Sequence, residues 1–327
     1  MPSNACSVHE IMLVPHVASS HLVSCASLPG RMLLVLALLW ATMLAGCGRL
    51  SRESQPSEVE KLGLAKLVAD AKAATGGGEP SHQRLWRPDL AILPFAEIDA
   101  EQIVLHNVRD CVYRTEEDYD VRHFDLELFT NQVQTVDFIV VPFKEAPAIA
   151  HTMLSFGLST GEYVVFSVEA RLEQGENYSA LASTSNEYEL MWVVGTEKDL
   201  IRLRTEVRDV DVYLYPIRAT PEQVQDVFLA AVARVNEIAR EPEFYDLLTN
   251  NCTTNIVDMV NALRPGAIPA DLRVVLPGHS DRLAYDLGLL AVQGDFETVK
   301  RNSRINAAAR IHANSEDFSH AIRYKRF

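Results

Sequence analysis

Asn250-Asn251-Cys252-Thr253-Thr254-Asn255 sets a cysteine among the polar residue types that favour helix starts. The apolar spacing that follows predicts a helix over Thr253–Leu263, closed by Arg264-Pro265-Gly266, and so seats Cys252 at its N-terminus. Unpaired N–H groups and the helix dipole at such an end stabilise an anion and lower a thiol's pKa. A nucleophilic thiolate suits that position, and so does a structural cysteine buried in a helix-start turn; position alone does not separate the two. If the thiol attacks a carbonyl, the oxyanion is expected against backbone N–H groups at the helix start, in the vicinity of Asn250, Asn251 and Thr253.

A thiol nucleophile needs a base, and the base needs an orienting group. The histidines outside the first 46 residues are His82, His106, His123, His151, His279, His312 and His320. His151 opens the first strand of a predicted hairpin, His151–Leu158 and Glu162–Leu172, turned by Ser159-Thr160-Gly161. Counting outward from that turn pairs Leu158 with Glu162 and His151 with Glu169, and cross-strand partners share a face. Ser167 lies diagonally from His151 on the same face. Either Glu169 or Ser167 can therefore fix the imidazole's tautomer, although Arg171 competes for Glu169 as an ion-pair partner. A one-residue slip would send Glu169 to the opposite face. A lone strand histidine is otherwise a core or edge residue.

The surrounding elements must hold these groups together. Gln102–Arg109, Val133–Phe143, the two hairpin strands, Glu187–Val194 and Asp211–Ile217 carry the Val, Ile and aromatic density of strands, giving five or six before the main helix. That helix starts at Thr220-Pro221 with Gln223 completing a capping box, and Val224, Val227, Phe228, Ala231, Val235 and Ile238 form its apolar stripe. Strands followed by helices make an α+β domain over residues 86–295. The tail, 296–327, has seven Lys/Arg against three Asp/Glu and reads as a solvated helix or tail. His279 and Asp281 in LPGHSD read as loop-capping residues, and Cys111 as a half-buried strand residue.

Composition removes several functions. A formal net charge of −14 gives no electrostatic footprint for nucleic acid. No Gly-rich phosphate loop, paired cysteines or closely spaced histidines appear, so neither a cofactor nor a metal is expected. At the other end, Arg31 precedes the apolar run Met32–Met43, followed by Leu44-Ala45-Gly46-Cys47. The run is short for a spanning helix and has the layout of a secretory signal. Cysteine directly after Leu-Ala-Gly resembles the lipobox of bacterial lipoproteins, which implies cleavage after residue 46 and lipid on Cys47. Residues 47–85 then form a polar tether, with a short helix near Val59–Ala71. Of the five cysteines only Cys111 and Cys252 remain, free to pair in an oxidising compartment unless one is kept reduced for its chemistry.

The stretches AHTMLSFGL (150–158), SVEAR (167–171), YELMWVVG (188–195), VYLYPIRATPEQ (212–223), FYDLLTNNCTTNIV (244–257) and LPGHSDRLAYDLGLL (276–290) resemble, in order, the bacterial DUF4105 family, also called the Lnb N-terminal periplasmic domain family. The resemblance implies a papain-like fold in the circularly permuted NlpC/P60-type arrangement, an antiparallel sheet packed on helices, with the histidine strand ahead of the nucleophile helix. By matching positions it implies Cys252 as nucleophile, His151 as base, and Glu169 or Ser167 as the third group.

The activity so implied is thiol-dependent acyl transfer or hydrolysis through a thioester, on a lipid ester or lipoprotein. The name-giving relative moves an acyl chain from lipid ester to N-terminal amine, but carries a multi-span membrane segment that this sequence does not. A cell-wall peptide amidase or peptidase is the alternative within the fold, and a non-catalytic binding or scaffold lipoprotein the alternative outside enzymes. The expected partners are the membrane, through the anchor, and the lipid or wall-peptide substrate. Gly48 after the lipidated residue resembles outer-membrane sorting, so the expected place is the cell envelope, on the periplasmic face of the outer membrane.

Overall fold

Val, Ile, Leu and aromatic side chains crowd 133–142, 150–158, 163–171 and 189–196, and in the computed structural model each of these stretches is a strand. The structure describes residues 78–180 and 182–323. The leader, Cys47 and the expected tether helix lie outside the described residues. Among the described residues ten strands run in chain order: β1 (Phe95–Asp99), β2 (Gln102–Arg109), β3 (Val112–Tyr113), β4 (Tyr119–Asp120), β5 (His123–Phe129), β6 (Val133–Pro142), β7 (Ala150–Leu158), β8 (Tyr163–Arg171), β9 (Glu189–Thr196) and β10 (Tyr213–Pro216). The α-helices among the described residues are α1 (Glu197–Arg202), α2 (Pro221–Arg240), α3 (Cys252–Leu263), α4 (Leu272–Val275), α5 (Ser280–Asp286), α6 (Phe296–Ser303), α7 (Asn306–Ile311) and α8 (Phe318–Ala321).

The chain is α+β, as expected, with more strands than the apolar runs announce. The main sheet has eight, in the order β1-β2-β9-β8-β7-β6-β10 with β5 also on β2, and β3–β4 form a separate pair. It is mixed rather than purely antiparallel, because the end of β2 meets β9 in parallel at Arg109 and Gly195. Glycine permits that approach: a Cβ on residue 195 would stand 3.0 Å from the Arg109 carbonyl oxygen. Elsewhere the register is antiparallel. In β7–β8 it runs from Gly157–Tyr163 to Met153–Ser167, the register counted from the turn.

That register sorts side chains between two faces. Phe156 and Phe166 meet Phe228 of α2 edge-on, with ring centroids 5.2 and 5.5 Å away. Ser155, one position along β7, points the other way and donates to Glu197 of α1. Helices thus cover both faces. Thr220 and Gln223 cap α2 reciprocally, and its apolar stripe is buried at Val224, Phe228, Ala231, Val235 and Ile238, with Val227 half-buried. The tail is not a solvated appendage. Phe296, Val299, Ile305, Ala309, Phe318 and Ile322 are all buried, so apolar spacing outweighs the tail's positive charge. Among the described residues no helix is long and apolar enough to cross a membrane.

Candidate active site

Cys252 is the first residue of α3, one earlier than the expected helix start, and is only 3 % exposed. Asn251 makes the cap: its side-chain oxygen accepts from the N–H groups of Thr253 and Thr254, at 2.8 and 3.0 Å. Its amide donates to the Leu247 carbonyl at 2.7 Å. Asn250 turns inward to Glu243, Phe244 and Asn255. The side chains of Asn250 and Asn251 therefore build the turn that presents the helix start. Thr253 spends its hydroxyl on Thr152, 3.0 Å away, and its N–H on the cap. Among the helix-start donors, the Cys252 N–H is left without a protein partner among the described residues.

The sulfur rests against the start of β7. Thr152 N–H donates to Sγ at 3.4 Å, and the Ala150 carbonyl lies 3.9 Å from it. His151 stands between them on the strand, and its charge lowers the thiol pKa. Its Nε2 lies 2.7 Å from Ser167 Oγ and 3.2 Å from Glu169 Oε1. Ser167 donates its own proton to Glu169 Oε1 at 2.6 Å. The serine oxygen can then only accept from Nε2–H, which fixes the tautomer and leaves Nδ1 for the sulfur. Ser167 and Glu169 act together: the serine bridges and the carboxylate stands behind it.

Sequence reasoning missed the cation that completes this array. Arg204, 3 % exposed, donates to Glu169 Oε1 at 2.9 Å and to the Leu200 carbonyl at 2.9 Å. It belongs to a five-residue π-helical turn, Leu203–Val207, that extends α1. No local pattern announces it, because its partner lies 35 residues away. Arg171, the expected rival for Glu169, instead donates to the carbonyls of Leu90 and Ala91 and stacks on Trp86.

The charges follow from these contacts. Burial raises the Cys252 thiol, but the His151 charge and hydrogen bond, aided by Thr152, outweigh it and bring it down to about 7. Burial pulls His151 down, while Glu169 and the thiolate push it up to about 9. Burial works against the Glu169 charge too, yet His151 and Arg204 hold the carboxyl well below its ordinary range. A thiolate–imidazolium pair is the result. Cys111 is the contrast. It is free, as Cys252 is, but sits in the β2–β3 connection rather than on a strand, is buried, and is pushed up to about 11 by burial and Asp199.

A cleft of about 360 Å³ opens over the sulfur, lined by Cys252, His151, Glu169 and Arg204 together with Phe143, Tyr178 and Tyr245. Tyr178 stacks on Tyr188 and meets Phe143 edge-on, so one wall is aromatic. His279 and Asp281 are elsewhere in the packing. His279 closes a 3₁₀ turn, and buried Asp281 accepts from Tyr215 and pairs with Lys300.

A mixed α+β domain with a cysteine on a helix N-terminus, against a strand histidine backed by serine and carboxylate, has the layout of thiol-nucleophile proteins. Residues 120–278 match the Lnb N-terminal periplasmic domain family. The matched stretch contains His151, Ser167, Glu169, Arg204 and Cys252. No curated protein and no solved structure is significantly similar to the chain.

Proposed function

We propose that this protein is a cell-envelope cysteine acyltransferase or hydrolase, built on a permuted papain-like arrangement and working on the periplasmic side. The carrying observation is the array Cys252–His151–Ser167–Glu169 at the floor of an open cleft, with Ser167 Oγ 2.7 Å from the imidazole and 2.6 Å from the carboxylate. In the forward step the Cys252 thiolate attacks an ester or amide carbonyl. The C–O or C–N bond breaks, a thioester forms, and His151 gives its proton to the departing oxygen or nitrogen. In the second step an amine or water attacks the thioester, His151 takes the acceptor's proton, and the thiolate departs. The oxyanion is stabilised by the Cys252 backbone N–H, the helix-start donor left open by the Asn251 cap.

The lipid anchor at Cys47 belongs to this proposal. It keeps the domain at a membrane face, within linker reach of lipid esters and lipoprotein N-termini. A lipid ester or lipoprotein is the leading substrate, and wall peptide the alternative. The test compares a Cys252→Ala strain with its parent by mass spectrometry of lipoprotein N-termini and of muropeptides. A change in the acylation of the first pool supports lipid acyl transfer, and a change in the second supports wall amidase action. If neither pool changes and the Cys252 thiol alkylates no faster than an ordinary one at neutral pH, the non-catalytic scaffold is the better account.

A further inference from the structure

A second cavity, of about 350 Å³, shares no lining residue with the catalytic cleft. Its wall is made by Phe138 and Leu154 of the sheet, Val257 and Val260 of α3, Ala284 of α5, and Leu289. Thr253, the neighbour of Cys252, also contributes. A volume of this size matches small-molecule sites, and an apolar wall is poorly hydrated. Leu263 and Leu287, also in the lining, are exposed large apolar side chains, and α4 adds exposed Leu272 and Val275 beside the lining residue Val274. The apolar character therefore continues from the interior out to the surface, where an isolated water-facing pocket would turn polar.

The polar residues of the lining are few and uneven in charge. Arg218 and Arg264 are its cations and Asp226 its one carboxylate. Arg264 is exposed and makes no ion pair among the described residues, while Arg218 gives one N–H to the Leu290 carbonyl at 3.3 Å. On a chain whose formal net charge is −14, a net positive opening over a hydrocarbon interior selects for a particular chemistry. We propose that this cavity binds an amphiphile with one hydrocarbon chain and an anionic head, the chain buried between α2, α3 and α5 and the carboxylate or phosphate held by Arg218 and Arg264. The site stands apart from the thiol chemistry, since it needs none of the residues of the Cys252 array.

The test is photolabelling of the full chain in phosphatidylcholine vesicles. Three diazirine-tailed probes are used: palmitate, lysophosphatidate and the neutral palmitoyl alcohol. Cross-links are expected on peptides covering 256–264 and 283–289, competed by unlabelled palmitate or lysophosphatidate. Whichever anionic probe labels better identifies the head group. Val260→Trp, which fills the cavity from a half-buried position, should abolish labelling. Arg218→Gln with Arg264→Gln should weaken competition about tenfold while leaving the packed wall intact. The arginine pair carries the test if Val260→Trp does not fold by circular dichroism. Cys252→Ala should label as the parent does, so failure of the proposed acyl chemistry leaves this result standing. Equal labelling by the neutral probe, labelling spread along the chain, or no labelling by any probe, as when the chain's own residues fill the cavity, would overturn the proposal.

Discussion

At the scale of single residues, the site is governed by one proton shared among Cys252, His151 and the groups behind it. With the thiol at about 7 and the imidazole at about 9, the pair is thiolate–imidazolium between those values and titrates as a unit. Two different pH profiles follow. Alkylation of Cys252 by iodoacetamide needs only the thiolate, so its rate should rise through about pH 7 and stay high. Turnover also needs the imidazolium proton for the leaving group, so it should rise through about 7 and fall through about 9. An alkylation midpoint near that of an ordinary cysteine would remove the ion pair from the mechanism. Glu169→Gln tests the carboxylate with the sign fixed in advance. Glu169 raises His151, so its loss lowers the imidazole pKa; a less charged His151 then raises Cys252. The turnover window narrows from both sides, and its height should drop about 100-fold. Ser167→Ala should cost less, because Glu169 Oε1 already lies 3.2 Å from Nε2. Turnover unaffected by either substitution would sink the relay.

At the scale of elements, the relay depends on how a π turn delivers Arg204. π-helical insertions often mark functional sites, and here the turn ties one guanidinium both to its own helix at Leu200 and to Glu169. Removing one partner of a buried pair leaves the other uncompensated. Arg204→Met is therefore expected to destabilise the fold by about 3–5 kcal/mol, and Arg204→Lys by less, read by urea denaturation. Because the folded state depresses the Glu169 pKa, its stabilising contribution is present in full above the ordinary carboxylate range and is lost as pH falls from that range through the depressed folded value. Glu169→Gln should accordingly flatten the acid limb of the stability curve, and an unchanged limb would show that the pair does not contribute. The same elements mark what the sequence reveals. Cys252 at a helix start and Glu169 opposite His151 were legible, since a capping run and a tight turn are local signals. Arg204 was not legible, because its meaning depends on a contact between distant segments. Strand β1 was hidden for another reason: only Ala96 of its five residues is buried, so it lacks an apolar run. Strand β5 carried a signal that apolar density passes over, with Phe124, Leu126 and Leu128 alternating with Asp125 and Glu127. The turn-building contacts of Asn250 and Asn251 were not legible either, because their amides reach Glu243, Phe244 and Leu247 through the fold of the preceding loop.

At the scale of the whole molecule, the C-terminal helices decide where the folding unit ends. The family match stops at residue 278, and sequence patterning drew the domain edge near 295, yet both boundaries cut through the core. Arg323 bridges Asp137 of β6 and Glu197 of α1, with its Nη2 2.7 and 2.6 Å from their carboxylates, and stacks over Tyr163 at 3.6 Å. Glu197 is the residue that Ser155 of β7 donates to, two strand positions beyond Met153 on the face that carries His151. The tail thus clamps the sheet face on which His151, Ser167 and Glu169 stand. Burying a large apolar side chain stabilises by about 1.5–3 kcal/mol, so losing Phe296, Val299, Ile305, Phe318 and Ile322 would remove an amount comparable with the 5–15 kcal/mol of a whole domain. A chain ending at residue 295 should therefore show no cooperative thermal transition and a Cys252 that alkylates like an unfolded thiol. Arg323→Ala in the full chain is the finer probe. It should lower stability by about 3–5 kcal/mol while leaving the urea slope unchanged, because the same surface is exposed on unfolding. Cooperative unfolding of the shortened chain, with the thiol still depressed, would mean that the tail merely rests on a domain complete without it.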